Sequence, residues 1–320
     1  MKRLPFFLPM EGCPGRCSYC DQQSITGKTA PSPEEVGAFL EREKTPLEVC
    51  YFGGSFTCLP REKRRAYLKA FRKAPGGSVL RFSTHPLGIS PSMAAELREY
   101  PLSQIELGIA SLEDPALRKN RRGYTCREVL ETLEFLLLEG FPLGCQMMIG
   151  LPGQTLRGSL EDLDKLRSLP RSSGMHLRLY PCLVLRNTLL ASWMARGEYA
   201  PLSLEDAVTW GASWLLRAET LSFRVQRIGL CDTPSLHEDV LGGPLHPALG
   251  ELIRGEALGR RLLEQSPRGP WKILPGEHSH LLGHGKRGAR KMAHLSGFSL
   301  EEVLERLILT PSTRERNEKA

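Results

Sequence analysis

Three cysteines fall within eight residues near the start of this chain, in the segment CPGRCSYC that contains Cys13, Cys17 and Cys20. Thiolates are the usual protein ligands of iron–sulfur clusters, and three of them on one tight loop can hold three corners of a cuboidal cluster. The fourth iron would then lack a protein ligand, which implies that another molecule binds there. Zinc is the alternative, but a structural zinc site needs four ligands, and no second cysteine or histidine pair complements the three thiols.

The other six cysteines occur singly, mostly within apolar runs. Nine is an odd total, and we find no export signal, so we predict no disulfide framework and a cytoplasmic location. We predict that these six side chains are buried thiols without a chemical role. They are Cys50, Cys58, Cys126, Cys145, Cys182 and Cys231.

The composition is that of a folded globular protein, because 41% of the 320 residues are hydrophobic and 25% are charged. No apolar run approaches the ~20 residues of a membrane-spanning helix, so we predict no membrane partner. The chain has 43 basic and 36 acidic residues and a net charge of +7. This mild excess permits a polyanionic partner such as RNA but does not require one.

Short apolar runs alternate with amphipathic segments over the first 180 residues. This alternation predicts a parallel α/β sheet, either open or curled into a barrel, with the chemistry at the carboxyl ends of the strands. Ser32 and Thr125 are typical helix caps. The predicted strands are Leu4–Leu8, Val49–Gly53, Leu80–Ser83, Ile105–Ile109, Gln146–Ile149 and His176–Tyr180, and the predicted helices are Pro33–Glu43, Arg61–Ala74, Ser90–Arg98, Cys126–Glu139 and Ser159–Ser168.

The alternation ends after residue 185. Beyond it we predict helices at residues 204–218, 247–253 and 300–308, and a strand at 223–230. The sequence therefore predicts a core domain of residues 1–185, an extension packed on it from 186 to 311, and a flexible tail of 312–320.

The cysteine motif, with Tyr19 directly before its last cysteine, resembles that of the radical S-adenosylmethionine (SAM) superfamily. The segment FGGSFT at residues 52–57 is similar to the glycine-rich motif of the elongator catalytic-subunit branch of that superfamily. Further segments similar to that branch follow in order, so the resemblance covers about residues 4 to 290. They are RFSTHP (81–86), IELGIAS (105–111), NRRGYT (120–125), QMMIGLPGQT (146–155) and LRLYP (177–181).

The resemblance implies a partial (β/α)6 barrel that holds a 4Fe–4S cluster on Cys13, Cys17 and Cys20. In this superfamily, an electron from the cluster cleaves SAM into methionine and a 5′-deoxyadenosyl radical. Arg178 and Tyr180 end the sixth predicted strand and face the presumed cavity, where we assign them to the substrate side as catalytic residues. The resemblance also implies eight cofactor-binding residues: Gly53, Gly54, Ser55, Ser83, Glu106, Arg122, Gln146 and Gly150.

Within this family, similarity to the elongator branch predicts a role in tRNA modification, with an electron donor such as ferredoxin or flavodoxin. Two features depart from the branch. Ala110 replaces a glutamine, and the chain resembles a short relative without the acetyltransferase domain. Two other functions stay open, namely a tetrapyrrole-related enzyme, as in coproporphyrinogen-oxidase-like relatives, and a non-catalytic RNA-binding module that keeps its cluster. Histidines lie at 278, 280 and 284 beside four basic residues. Three interpretations of this segment stay open, namely a metal site, a phosphate-binding loop and a plain solvated surface.

Overall fold

Seven strands form one curled parallel sheet in the computed structural model, which describes residues 1–310. The sheet order is β1-β2-β3-β4-β5-β6-β8, so β1 and β8 are its two edges. The curl therefore gives a half-barrel that is open between these edges. In chain order the strands are β1 (Lys2–Phe7), β2 (Leu47–Phe52), β3 (Val79–Thr84), β4 (Leu102–Ala110), β5 (Leu143–Ile149), β6 (His176–Pro181), β7 (Val184–Leu185), β8 (Arg224–Ile228), β9 (Val240–Gly242), β10 (Trp271–Ile273) and β11 (Leu307–Leu309).

Helices connect successive strands of the sheet, which confirms the predicted partial barrel of α/β type. All six predicted strands and the five helices predicted between them are present, with ends that differ by a few residues. The helices are α1 (Gln22–Thr26), α2 (Pro33–Leu40), α3 (Arg61–Phe71), α4 (Pro91–Leu97), α5 (Asp114–Lys119), α6 (Cys126–Leu138), α7 (Leu156–Ser168), α8 (Leu189–Ala195), α9 (Leu204–Thr220), α10 (Pro234–Asp239), α11 (Leu249–Gln265), α12 (Pro275–Ser296) and α13 (Leu300–Glu305).

Local sequence explains where several of these helices begin. Ser32 caps α2 and Thr125 caps α6, and in both cases a glutamate three residues later completes a capping box. Such a cap satisfies backbone N–H groups that have no partner within the helix, and its loss costs about 1 kcal/mol. These two helices therefore begin where the sequence predicts.

The period of two along each strand decides which side chains face the inside of the half-barrel. On β6, Leu177 and Leu179 are fully buried in the hydrophobic core, whereas Arg178 and Tyr180 line the interior cavity. On β1, the alternate residues Arg3, Pro5 and Phe7 line that cavity. The alternation along β6 thus places its polar side chains on the face of the sheet that lines the cavity.

The seventh strand of the sheet comes from the predicted extension. β8 pairs in parallel with β6, with Arg224 opposite His176 and Ile228 opposite Leu179. Its apolar residues Val225 and Ile228 pack on the main core and on the smaller core between α9 and α11. The sequence predicts this strand but not its membership of the sheet, because pairing between distant segments has no local signal.

The remaining extension forms its own small core around Trp271, which is fully buried. The predicted helix at 300–308 ends at Glu305, and Leu307–Leu309 pairs with Trp271–Ile273 instead. The histidine-rich segment predicted as a loop lies in α12, which is kinked by non-helical backbone from Gly283 to Lys286. Within residues 1–310, no helix is both long and apolar enough to cross a membrane. The predicted tail at 312–320 lies outside the described residues.

Candidate functional site

A cavity of about 500 Å³ opens at the carboxyl ends of the strands. It is lined by the residues that end β2, β3, β4, β5, β6 and β8 and by the loop that follows β1. This is the edge of a parallel α/β sheet where active sites form, because loops from several strands converge there. Eleven of the thirteen predicted site residues line the cavity: Cys13, Cys17, Cys20, Gly53, Gly54, Ser55, Ser83, Arg122, Gln146, Arg178 and Tyr180.

The cysteine loop is anchored to the rest of the half-barrel at Ser18. The Ser18 hydroxyl donates to the Asn120 side chain at 2.7 Å, and the Ser18 N–H donates to the Asn120 carbonyl at 3.3 Å. The Leu190 N–H in turn donates to the Ser18 carbonyl at 2.8 Å. These bonds hold the loop between two thiols, Cys17 and Cys20, and keep both directed at the cavity.

Two glycines allow the cysteine loop to lie directly against the glycine-rich loop after β2. A Cβ atom on Gly54 would lie 2.3 Å from the Glu11 carbonyl oxygen and 2.5 Å from that of Leu8. A Cβ atom on Gly12 would lie 2.4 Å from the Ser55 carbonyl oxygen, and the backbone of Gly12 has a positive φ of 70°. Any side chain at either position would therefore separate the two loops.

The three thiols share one cavity but do not converge on the position of a single metal ion. Burial raises the pKa of Cys20 to about 12, with further upward effects from Cys17 and Cys13, and it also raises the pKa of Cys13. Metal binding must therefore displace their protons. Within the described part of the chain, no three histidine, cysteine, aspartate or glutamate side chains come close enough to hold one metal ion. A cuboidal cluster is larger than one ion and accepts thiols that stand farther apart.

His85 also lines the cavity, but it is not available as a fourth ligand. Its Nδ1 accepts the Leu87 N–H at 3.3 Å, and its Nε2 donates to the Arg122 carbonyl at 3.0 Å. Burial, together with the charge of Arg122, lowers the pKa of His85 to about 4, so the ring is neutral. Both ring nitrogens are therefore occupied, which excludes His85 from completing a zinc site.

Arg122 is a buried guanidinium beside the cysteines. It donates to the Cys17 thiol at 2.9 Å, to the Tyr19 hydroxyl at 3.2 Å and to the Tyr124 hydroxyl at 2.8 Å, and also to the Gly108 carbonyl. It forms no ion pair with any carboxylate among residues 1–310. A buried arginine without an acidic partner is suited to bind the carboxylate of a ligand.

Glu106 lies below the cavity and does not line it. Its carboxylate is 1% exposed and pairs with Arg81 at 2.5 Å and with Arg178 at 2.8 Å. It also accepts a hydrogen bond from the Gln146 amide at 2.7 Å. Glu106 thus neutralises two arginines and orients Gln146, a role that its strand position alone does not reveal.

The wall opposite the cysteines carries Arg178 and Tyr180. Arg178 donates to the Tyr180 hydroxyl at 3.3 Å, and its guanidinium carbon lies 5.3 Å from the centre of the Phe52 ring. Gly150, in contrast, does not line the cavity, and its carbonyl accepts the Tyr199 hydroxyl at 2.7 Å. The structure therefore brings the two predicted substrate-side residues together and leaves Gly150 outside the cavity lining.

Several cavity residues were missed by sequence reasoning. Cys231 is exposed and lines the cavity, so the prediction of a buried thiol is wrong for it. Cys50, Cys145 and Cys182 are buried as predicted, and Cys58 and Cys126 are only half-buried. Lys28, Arg227 and His85 also line the cavity. Proximity to a strand end is a local signal for Arg227 and for His85, which directly follows β3, whereas Lys28 lies after α1 and carries no such signal.

Ala110 ends β4 in a strained conformation at the cavity wall. Its φ is 61°, and the Ser111 N–H donates to the Ile109 carbonyl at 2.7 Å across it. A side chain in this left-handed region costs about 1–2 kcal/mol. At this turn Ala110 lines the cavity and belongs to an apolar cluster against which Tyr19 and Met148 pack.

The amino-acid sequence matches two family models. One is the radical SAM superfamily, over residues 7–166, and the other is the radical SAM C-terminal domain, over residues 175–258. The Elongator complex protein 3 of Homo sapiens is 27% identical over 203 residues, which are 57% of this chain and 37% of that protein. The tRNA uridine(34) acetyltransferase of Methanocaldococcus infernus is 24% identical over 130 residues, which are 41% of this chain and 24% of that protein. The chain thus spans well under half the length of these relatives.

Solved structures show a similar fold. Elp3 of Methanocaldococcus infernus, with an N-terminal deletion, has a TM-score of 0.60 at 18% identity and covers 82% of this chain and 62% of its own. Streptococcus suis SuiB bound to S-adenosylmethionine has a TM-score of 0.51 at 12% identity, covering 72% and 47%. Since the superfamily model matches half of the sequence, including the cysteine loop and strands β2 to β5, the chain belongs to the radical SAM superfamily.

Proposed function

We propose that this chain is an enzyme that binds a 4Fe–4S cluster through Cys13, Cys17 and Cys20 and reductively cleaves SAM. Members of the radical SAM superfamily use both cofactors. One observation carries the assignment to this site: three thiols from one loop share a cavity with Arg122, a buried arginine that has no acidic partner in the described chain. When bound, the cluster supplies the electron that breaks the bond between sulfur and the 5′ carbon of SAM.

The residues of this chain bind and orient SAM and exclude water from it. Arg122 offers the SAM carboxylate its positive charge and one remaining Nη2 N–H, since its other four N–H groups donate to Tyr124, Cys17, Tyr19 and Gly108. The Gly54 carbonyl accepts the Ser83 hydroxyl at 3.3 Å, which holds the glycine-rich loop beside the cysteines. Gln146, held by Glu106, faces the cavity at the position we assign to the ribose.

Arg178 and Tyr180 act on the opposite, substrate side of the cavity. Burial raises the pKa of Tyr180, so its hydroxyl keeps its proton and is a hydrogen-bond donor at neutral pH. Arg178 holds that hydroxyl and is itself fixed by Glu106. This pair positions a substrate, and hydrogen abstraction depends on such positioning more than on acid–base assistance.

Anaerobic reconstitution tests this proposal. The protein should bind about four irons per chain and release 5′-deoxyadenosine from SAM when dithionite is added. The Cys17→Ala variant should lose both, while Cys126→Ala, a matched substitution at a half-buried cysteine outside the cavity, should keep them. Cleavage of SAM by Cys17→Ala would overturn the assignment.

For the substrate class we propose tRNA. One relative is named a tRNA uridine(34) acetyltransferase, and the chain carries a net charge of +7. Nine free cysteines and a reducible cluster fit the cytoplasm, where a ferredoxin or flavodoxin can donate the electron. Mass spectrometry of tRNA nucleosides from cells with and without the gene tests this. An unchanged nucleoside profile contradicts it, and RNA binding without 5′-deoxyadenosine release would indicate a non-catalytic binding module.

A further inference from the structure

The cavity wall carries positive charge without any acidic residue. Among the residues that line it, five are cationic and none is an aspartate or a glutamate. A cavity lined by one sign of charge concentrates ligands of the opposite sign. The five are Arg3, Lys28, Arg122, Arg178 and Arg227.

Three of these cations already have a carboxylate partner, either in the structure or in the proposed complex with SAM. Arg3 pairs with Glu48 at 2.5 Å, and Arg178 pairs with Glu106 at 2.8 Å. Arg122, as proposed above, binds the SAM carboxylate. Each of these three therefore has an anionic partner, observed or assigned, although Glu48 and Glu106 also pair with Arg81.

Lys28 and Arg227 have no carboxylate partner within residues 1–310. The Arg227 Nε donates to the Gly229 carbonyl at 3.0 Å, and its two terminal nitrogens make no hydrogen bond to the described chain. Two unmatched cations in one cavity leave its charge unbalanced until an anion binds.

Both residues lie beside the lateral opening of the half-barrel. Arg227 belongs to the edge strand β8, and Lys28 follows α1 closely. The neighbouring extension contacts α1, since the Thr233 hydroxyl donates to the Ile25 carbonyl at 3.1 Å and Gly27 faces the Ser235 side chain. Lys28 and Arg227 thus come from segments that this contact joins.

We propose that Lys28 and Arg227 bind a backbone phosphate of the RNA substrate while its reacting nucleoside enters the cavity; this rests on the proposed function. Arginine binds phosphate oxygens through two parallel N–H donors, and lysine adds a compact point charge. Phosphate contacts fix the position of a nucleic acid without reading its sequence. The specificity for a base therefore belongs to the inner cavity around Arg178 and Tyr180.

The test is RNA binding by the reconstituted protein, measured with a labelled tRNA transcript by fluorescence anisotropy at several salt concentrations. The double variant K28Q/R227Q should bind more weakly, by on the order of tenfold per lost contact. The slope of log K against log salt should fall by about 0.7, because the two side chains bind one phosphate and each phosphate contact to a single strand contributes about 0.7.

A matched control removes the same charge from α12. The double variant K286Q/R290Q has the same net charge as the test variant, but neither residue lines the cavity. In this control we expect the slope of log K against log salt to equal that of the unmutated protein, apart from the small change that the lower net charge itself produces. An R227K variant, which keeps the charge, should also keep that slope. If the slope of log K against log salt falls in the α12 variant and does not fall in K28Q/R227Q, the phosphate site lies on α12 and the proposal is wrong.

Competition separates a phosphate within RNA from a small phosphate ester. Unlabelled tRNA transcript should displace the probe, whereas uridine monophosphate at the same phosphate concentration should not. Equal displacement by uridine monophosphate would overturn the assignment to an RNA backbone. Release of 5′-deoxyadenosine by the parent protein is measured separately, so failure of this inference is distinguishable from failure of the proposed function.

Discussion

The two walls of the cavity are built in different ways. The wall with the cysteines is backbone packed on backbone, where Gly12 and Gly54 allow two loops to touch. The wall formed by β6 and β8 is built from charged side chains, held over the buried carboxylate of Glu106. Close-packed backbone defines a position within tenths of an ångström, whereas side chains with free donors can still accept a ligand. This difference supports our proposal that the first wall holds the cofactors and the second positions the substrate.

Removal of the Glu106 carboxylate should produce the largest effect, on the side-chain wall. In Glu106→Gln, Arg81 and Arg178 lose their common partner, and both are largely buried. We expect the free energy of unfolding to fall by about 3–5 kcal/mol, as when one partner of a buried ion pair is lost. Denaturant unfolding measures this, with Glu161→Gln on an exposed pair as the control. A fall no larger than that of the control would show that this wall does not depend on the buried carboxylate.

A pH titration tests the cysteine wall through His85. Its pKa is about 4 in the folded protein, against 6.5 for an unperturbed histidine, because of burial and the nearby Arg122. As pH falls, the unfolded state therefore takes up the proton on His85 before the folded state does. The contribution of neutral His85 to the free energy of unfolding is fully present above pH 6.5 and is lost as pH falls to 4. The full loss is about 3 kcal/mol. His85→Gln should lack this part of the pH dependence. Curves of stability against pH that run parallel for the unmutated protein and the variant would contradict this prediction.

A single methyl group tests the contact between the two loops. Gly54→Ala would place a Cβ atom 2.3 Å from the Glu11 carbonyl oxygen. We expect a loss of about 1–3 kcal/mol in stability and incomplete loading of iron. Gly76→Ala is the matched control, since no atom lies within 4 Å of its added Cβ. Full iron loading and parental stability in Gly54→Ala would show that the loops can separate without consequence.

Arg122→Lys should give the smallest of these effects. It keeps the charge but loses the planar guanidinium that bonds to Cys17, Tyr19 and Tyr124 and leaves one N–H for the carboxylate, so we expect SAM affinity to fall about tenfold. Equilibrium dialysis under anaerobic conditions measures this, and Arg157→Lys on the exposed surface of α7 is the control. An unchanged affinity would indicate that the SAM carboxylate binds elsewhere in the cavity.

Much of this half-barrel could be predicted locally. Apolar runs located the first six strands, and cap residues such as Ser32 and Thr125 located helix starts, because both signals act within a few residues. The segment later found as α12 was predicted as a loop, since its glycines and histidines are weak helix formers. Packing against α11 stabilises it as a helix, and that contact has no local signature.

The types and spacing of Cys13, Cys17 and Cys20 were sufficient to predict thiolate ligands on one loop, because coordination chemistry depends on residue identity. The roles of Glu106, Lys28 and Arg227 depended on tertiary structure. Glu106 meets its arginines across neighbouring strands, and Lys28 and Arg227 are 199 positions apart in the chain yet line one cavity. Ion pairs depend on the distance between side chains and not on their separation in sequence. The tertiary structure therefore decides which charged residues have a partner, once the sheet has curled and the extension has added its strand to the edge.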